Sequence, residues 1–512
     1  MATTWIDELR QRIQPHPHLN DPAGWIRTRL REHLWSKQRE IVDAIRDHPK
    51  VAVHSCHDAG KSFIASRVAD WWIDVHPEGS AFVASTAPTY RQVNAILWEE
   101  IRTSHQKGNL KGRVTQSDEW KIGDRLVGYG RKPADHDEHG FQGIHRRYVL
   151  VILDEACGIP PALWTGVDAI TTNDDARILA IGNPDDETSE FARLCRPGSG
   201  WHVIRIDGLT TPNVDKATMA AALDEIGFGT RNAQEAEQRQ RLLAACPDER
   251  EQVPADLRHL LLSPSWIADK ARRWGVDSPL FTAKVRGEFP DTSAGSVIPL
   301  AWVRAAQNRW ANRADPLPRF TQAGVDVADE GEDRTTIAYR HAWRIDRIEI
   351  VPPGDPMHTA DQINAIVPGL SVVDGIGVGS GVVARLRQLG RPVVSFIASR
   401  GTDLVDQTGE LGFINCRAAA WWALREMLDP INGLPIELPD DDELTAELTA
   451  PKWTQAGGRI KIESKDDIKK RLGRSTDLAD SVIQAFWTDP TPVLEDADDM
   501  ASDTDDDIFS LM

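Results

Sequence analysis

The chain has 512 residues, of which 27% are charged, and carries a formal net charge of −19. That length exceeds one ordinary hydrophobic core, so two domains are expected. Five scattered cysteines without CxxC spacing argue against a disulfide framework or a zinc ribbon, and no stretch is long and apolar enough to cross a bilayer. The expectation is a soluble protein of a reducing, intracellular compartment, with no membrane partner.

A negative charge of this size opposes broad contact with nucleic acid, because phosphate binding requires a positive surface. Nine of the acids, however, lie beyond Trp487 with no Lys or Arg among them. Basic clusters persist at Arg131-Lys132, Arg146-Arg147 and Lys465 to Arg474. Contact with DNA would then be confined to narrow strips near the chemistry.

Residues 1–34 read as a charged, amphipathic helical segment. From 35 to 210, helical periods alternate with the apolar runs VAVHS, SAFVAST, YVLVILDEA, ARILAIGNP and WHVIRID, which predicts an α/β domain with buried parallel strands. Residues 211–317 turn helical and charged and end in a Pro- and Gly-containing linker. From 318 to 488 three strands (FTQAGVDVAD, RTTIAYRHAW, RIDRIEIVPPG) precede a helix, the strand LSVVDG, a second helix and the strand PVVSFIAS. That βββαβαβ order is the ribonuclease H arrangement. Residues 489–512 are acidic and too polar to pack, which predicts a disordered tail.

The run Ser55-Cys-His-Asp-Ala-Gly60-Lys61-Ser62 sits between the strand VAVH and the helix FIASRVADWW, the context that makes a phosphate-binding loop (Walker A) credible. Lys61 would hold the β and γ phosphates of ATP, and Ser62 would ligate Mg²⁺. Ser55 stands where the usual motif has its first glycine. YVLVILDEA delivers Asp154 to the metal and Glu155, as general base, to the attacking water (Walker B). Asn183, at the end of RILAIGNP, would sense the γ-phosphate. Gln38, with Trp35 nearby, would read the adenine edge. Arg131, Arg146 and Arg147 are candidates for a charge-stabilising arginine, with a neighbouring subunit as another source. His136, His139 and His145 lie in a polar loop without a partner pair, which argues against zinc.

In the second half, Asp326 interrupts the otherwise apolar strand GVDVA, where a charge is costly unless it is paired or binds a metal. Asp374 ends LSVVDG. Asp477 and Asp480, three apart at the start of a helix, share one face, and the spacing does not choose between them. Carboxylates from three remote segments suit a two-metal phosphodiester hydrolysis with Mg²⁺ or Mn²⁺. Asp333 is a supporting candidate. Lys465, Lys469, Lys470, Arg471 and Arg474 would track the phosphate backbone. The glycine run from Gly375 to Gly381 imitates a dinucleotide fingerprint, but it lacks the paired βαβ halves and directly follows Asp374.

These residues resemble the large terminase subunit of tailed bacteriophages. The likeness spans about residues 30 to 488 and rests on Gln38, GKS at 60–62, LDEA at 153–156, GNP at 182–184, GVDVA at 324–328, VVDGIGVG at 372–379 and TDLADS at 476–481. The resemblance implies an N-terminal P-loop ATPase of the ASCE/RecA-like kind followed by a ribonuclease H-like nuclease. It further implies a motor that packages double-stranded DNA into a prohead in the host cytoplasm and cuts concatemers. The implied partners are a portal protein and a small terminase subunit, with the chain itself in a homo-oligomeric ring. Two departures are His57, where the family often has arginine, and Gln142-Gly143, where it often has Arg-Gly. A translocase without nuclease activity, or a resolvase-like nuclease with a regulatory ATPase half, are the alternatives.

Overall fold

The computed structural model describes residues 15–132, 144–290, 295–328, 334–352, 354–431, 433–456, 459–472 and 474–488. Asp333, His136, His139, Gln142, Gly143 and the acidic tail lie outside the described residues. The chain divides into two compact units, Met1–Ala314 with Arg425–Ala479, and Asp315–Leu424 with Asp480–Met512. Among the described residues no helix is long and apolar enough to cross a membrane.

The first unit is built on an eight-stranded sheet. Its elements include α1 (Ser36–Asp47), β1 (Lys50–Ser55), α2 (Lys61–Val75), β2 (Ala81–Thr86), β3 (Arg113–Val114), β4 (Glu119–Ile122), β5 (Arg125–Gly130), β6 (Tyr148–Asp154), β7 (Arg177–Gly182) and β8 (His202–Ile206). The spatial order is β3-β4-β5-β2-β6-β7-β1-β8. The five apolar runs form the consecutive parallel strands β2-β6-β7-β1-β8, and β2 and β6 are buried along almost their whole lengths. Strand β7 lies between β1, which leads into the phosphate loop, and β6, which carries Asp154. That insertion is the ASCE arrangement, and it brings three strand ends to one edge.

Trp25, Ile26 and Leu30 pack into the same core as the sheet, so residues 25–30 are part of this unit's interior. The helices after residue 209 form a separate apolar cluster centred on Leu223, Trp274 and Phe281, which Ala446 joins. Two helices there carry the argument below: α3 (Pro279–Lys284) and α4 (Leu300–Ala311). Residues 425–479, which the sequence reading assigns to the 318–488 segment, are joined here by main-chain bonds. Val297 N–H donates to Pro451 O at 2.8 Å, Trp453 N–H to Gly295 O at 2.7 Å and Leu438 N–H to Ala306 O at 3.3 Å. Pairings across more than a hundred residues leave no mark on local hydrophobic periodicity, so the sequence places this segment with its neighbours in the chain.

The second unit contains β9 (Gln322–Asp326), β10 (Thr335–His341), β11 (Arg344–Val351), α5 (Pro356–Ile366), β12 (Ser371–Asp374), α6 (Val378–Gln388) and β13 (Val393–Phe396). The order is β11-β10-β9-β12-β13, with β10 antiparallel to both neighbours and β9, β12 and β13 parallel. This is the ribonuclease H topology. Helix α7 (Asp477–Phe486) lies across β9 at Gly324. A methyl group on Gly324 would stand 2.0 Å from Ser481 O and 2.2 Å from Ala485 N, both backbone atoms. Gly324→Ala is therefore expected to cost about 1–3 kcal/mol in urea unfolding through overpacking. It should also lower DNA cleavage, by displacing the helix, with ATP turnover unchanged.

Candidate active sites

The phosphate loop leaves β1 and enters α2 through two left-handed residues, Asp58 (φ 42°) and Gly60 (φ 78°). Ser55 replaces the motif glycine without strain, because it remains a strand residue paired with Ile206 and has no positive φ. Its hydroxyl donates to Cys56 O at 3.0 Å, and its carbonyl accepts from Asn183 Nδ2 at 2.6 Å. Ser55 thus anchors the end of β7 through Asn183 and does not line the loop's cavity. That cavity, about 390 Å³, is lined by residues 57–63 together with Ile96, Glu155 and Leu260.

Lys61 Nζ donates to Cys56 O at 3.2 Å and to Asn183 Oδ1 at 3.4 Å. Ser62 Oγ donates to Asp154 Oδ2 at 3.2 Å. Lys61 and Ser62, at the start of α2, are therefore in direct contact with residues at three strand ends: Cys56 after β1, Asp154 on β6 and Asn183 after β7. Burial, reinforced by the charge of Glu155, raises the Asp154 carboxyl to about 7, against the opposing pull of Lys61. A buried carboxylate in that state suits a site completed by a divalent cation. Glu155 follows at φ 46°, a left-handed conformation that is costly for a non-glycine residue and that clusters at functional sites. Gly182 permits it: a methyl there would stand 2.8 Å from Ala156 N.

Gln38 is 1% exposed, and its Oε1 has no hydrogen-bond partner among the described residues. Its Nε2 lies 2.5 Å from where a methyl on Gly60 would stand. An unpaired buried acceptor is costly unless a ligand donates to it, and the exocyclic amine of adenine is such a donor.

Of the candidate arginines, Arg147 precedes β6 and pairs with Asp175 at 2.8 Å. Six strand residues, Tyr148 to Leu153, separate it from Asp154, roughly 20 Å at the rise of a strand, so Arg146 and Arg147 stand at the wrong end of the sheet. Arg131 follows β5, which is parallel to β2, and so lies at the correct edge, stacked on Tyr129 at 4.2 Å.

Sequence reasoning missed the support beneath the loop. His57 N–H donates to Lys284 O at 2.8 Å, Cys56 N–H to Ile206 O at 3.0 Å and Leu262 N–H to Asp58 O at 3.3 Å. Gly287, at φ 59°, would place a methyl 2.8 Å from Cys56 N. The helical segment thus holds the loop from below, and no motif signals it.

In the second unit, β9 and β12 pair in parallel with Val325 opposite Val373. The next position on each strand is Asp326 and Asp374, so the two carboxylates are register neighbours at one sheet edge. Asp326 is 3% exposed. Gln322 Nε2 donates to Ala485 O at 3.0 Å and to Trp487 O at 2.8 Å, while Gly324 lies beneath Ser481 and Ala485. Helix α7 therefore runs antiparallel to β9, and its start, with Asp480, overlies the strand end that carries Asp326. Gln484, one turn after Asp480, lies against the carbonyls of Val325 and Val372. Asp477 falls in the first unit, its Oδ1 3.9 Å from Lys465 Nζ.

Among the described residues no three His, Cys, Asp or Glu side chains are grouped closely enough to hold a metal ion. The donor set at the sheet edge is nevertheless all oxygen, as Mg²⁺ and Mn²⁺ require. The glycines after Asp374 have a packing reason: a methyl at Gly379 would stand 1.9 Å from Asp374 O. The basic run is less open to DNA than its sequence suggests. Arg471 pairs with Glu463 at 2.7 Å, and Arg474 pairs with Glu443 at 3.0 Å and with the buried Glu447.

No family model matches the chain. The probable large terminase subunit of Enterobacteria phage P7 is 22% identical over 501 residues, spanning 90% of this chain and 88% of that one. The chain is thus similar, along most of its length, to a probable phage large terminase subunit. Among solved structures similar to this chain is the nuclease domain of the large terminase subunit of bacterial virus Sf6. It is 21% identical with a TM-score of 0.33, covering 38% of this chain and 99% of that one. The large terminase of a thermophilic bacteriophage, in complex with ADP, is 12% identical with a TM-score of 0.36, covering 91% of this chain and 98% of that one.

Proposed function

We propose that this chain is the ATP-driven motor of a viral DNA-packaging machine and that it also cuts the DNA it packages. The observation that carries the reading is the pairing of two constellations on one chain. One is Lys61, Ser62, Asp154, Glu155 and Asn183 in mutual contact or adjacent at one sheet edge. The other is Asp326 beside Asp374 on a ribonuclease H sheet. The similarity to the P7 protein, which spans 90% of this chain, supports the combination over either half alone.

In the first site, Lys61 and the loop amides would hold the phosphates of ATP, Gln38 would accept from adenine, and Glu155 would take the proton of the attacking water. Mg²⁺, when bound by Ser62 and Asp154, would neutralise phosphate charge. Asn183, bonded both to Lys61 and to Ser55 O, would register loss of the γ-phosphate. In the second site Asp326, Asp374 and Asp480 are the proposed metal ligands, with Asp477 left to Lys465. Divalent ions held there would supply an activated water and stabilise the leaving oxygen. We assign 35–210 to the ATPase core. Double-stranded DNA is the proposed substrate, and the portal, a small terminase subunit and a ring of like chains are the proposed partners.

The test is ATP turnover and nicking of supercoiled plasmid by the full chain, with Lys61→Ala as the control. The expected result is loss of turnover by at least ~10³-fold with Mn²⁺-dependent nicking retained. Nicking by wild-type protein that is indifferent to chelator would remove the nuclease half of the proposal.

A further inference from the structure

A second cavity, about 560 Å³, adjoins the phosphate-loop cavity, and both His57 and Glu155 line the two. Its wall also carries Asn183, Asp185, Lys284 and Arg304. The Lys284 side chain ends there at 2.7 Å from Asp185 Oδ2, and the residue is 7% exposed. Asp185 Oδ1 is buried with no hydrogen-bond partner among the described residues, so the carboxylate holds the ammonium through one oxygen only. Burial pushes the Asp185 carboxyl upward, but Lys284 and Arg304 outweigh it and keep the group below the usual carboxylate range.

Lys284 is therefore tied twice to the nucleotide machinery. Its carbonyl accepts from the His57 amide of the loop, and its ammonium bonds to the residue two places after Asn183. Position 57 itself brings no charge. Burial, with Lys284 and Lys61 on either hand, pushes the His57 imidazole down to about 2, so it is neutral at physiological pH. Arg304, the other cation of this wall, is engaged by Gln307 at 2.9 Å, Asp442 at 3.0 Å and Asp440 at 3.4 Å.

Taking the ATPase reading above as given, we propose that Lys284 supplies, from within the same chain, the positive charge that meets the γ-phosphate as it leaves ADP. In that step the water oxygen bonds to the γ-phosphorus and its proton passes to the Glu155 carboxylate. The bond from phosphorus to the bridging oxygen breaks, and its electron pair stays on ADP. Charge gathers on the bridging oxygen and the transferred group, and a second cation beside Lys61 stabilises it. Asp185 is the holder that keeps the ammonium on station until a more highly charged anion competes for it.

The experiment compares wild type, Asp185→Asn, Lys284→Met and the double variant, read by thermal melting, ADP affinity, affinity for ADP with aluminium fluoride, and kcat for ATP. A pair with only a structural role is replaced without loss by the neutral double variant. The proposal expects that variant to melt within a few degrees of wild type and to bind ADP normally. It should nonetheless lose about 10²–10³-fold in kcat and lose the extra affinity for the fluoride complex. Asp185→Asn alone should keep kcat within about tenfold. Should the double variant not fold, Lys284→Gln, which still donates to Asp185, is read the same way. Near wild-type kcat in either variant overturns the role of Lys284. Absence of turnover in wild type would instead overturn the ATPase reading itself.

Discussion

Glu155→Gln is expected to stop ATP turnover while leaving nucleotide binding in place. Glutamine keeps the shape of the side chain but cannot accept the proton of the attacking water, and a positioned general base is worth about 10²–10⁴-fold. A fall in kcat on the order of 10³-fold is therefore expected, with ADP affinity within a few-fold of wild type. Binding should survive because the residues placed to hold the nucleotide are others: Lys61, Ser62, the loop amides and Gln38. Loss of the Glu155 charge also relieves one of the two causes that raise the Asp154 carboxyl, so affinity for Mg²⁺ should not fall. The left-handed backbone at residue 155 is kept by the turn against Gly182 and not by the carboxylate. A Glu155→Gln protein that still turns over ATP at a tenth of the wild-type rate would show that another group takes the proton.

The second large effect is expected at Asp326. Asp326→Asn keeps the volume of a buried strand residue while removing one full charge from the sheet edge it shares with Asp374. Metal-dependent nicking of supercoiled plasmid should fall by at least ~10³-fold, because two-metal hydrolysis depends on carboxylate charge to gather both ions. ATP turnover should be unchanged, since Asp326 belongs to a different compact unit from Lys61. Parallel loss of both activities, with an unchanged melting temperature, would argue for a single shared site.

The parts of this molecule that follow local rules are legible in its sequence. The runs ending at Asp154, Asn183, Asp326 and Asp374 are apolar and β-branched, and buried parallel strands require that composition. Their functional residues stand at strand ends, although the sequence places Asp326 inside the strand GVDVA and only the structure shows β9 ending at it. The phosphate loop is legible through its strand-to-helix setting even with Ser55 in the glycine position, because Ser55 needs only strand geometry.

What was not legible depends on distant partners. Asp477 and Asp480 are equivalent by helical spacing, and only the antiparallel course of α7 over Gly324 separates them. Arg471 and Arg474 look like DNA contacts in a basic run, yet their guanidinium groups are held by Glu463, Glu443 and Glu447. Lys284 and Asp185 are about a hundred residues apart, in an ordinary helix end and after an ordinary strand, and nothing local marks them as a pair.

The most direct measurement is anomalous diffraction at the manganese edge from crystals of the full chain soaked in Mn²⁺ with a non-hydrolysable ATP analogue. The expected map has one peak against Ser62 Oγ and the Asp154 carboxylate, and a separate peak or pair of peaks bounded by Asp326, Asp374 and Asp480. Manganese that avoids Asp326 and Asp374, or a nucleotide bound away from Lys61, would contradict the account.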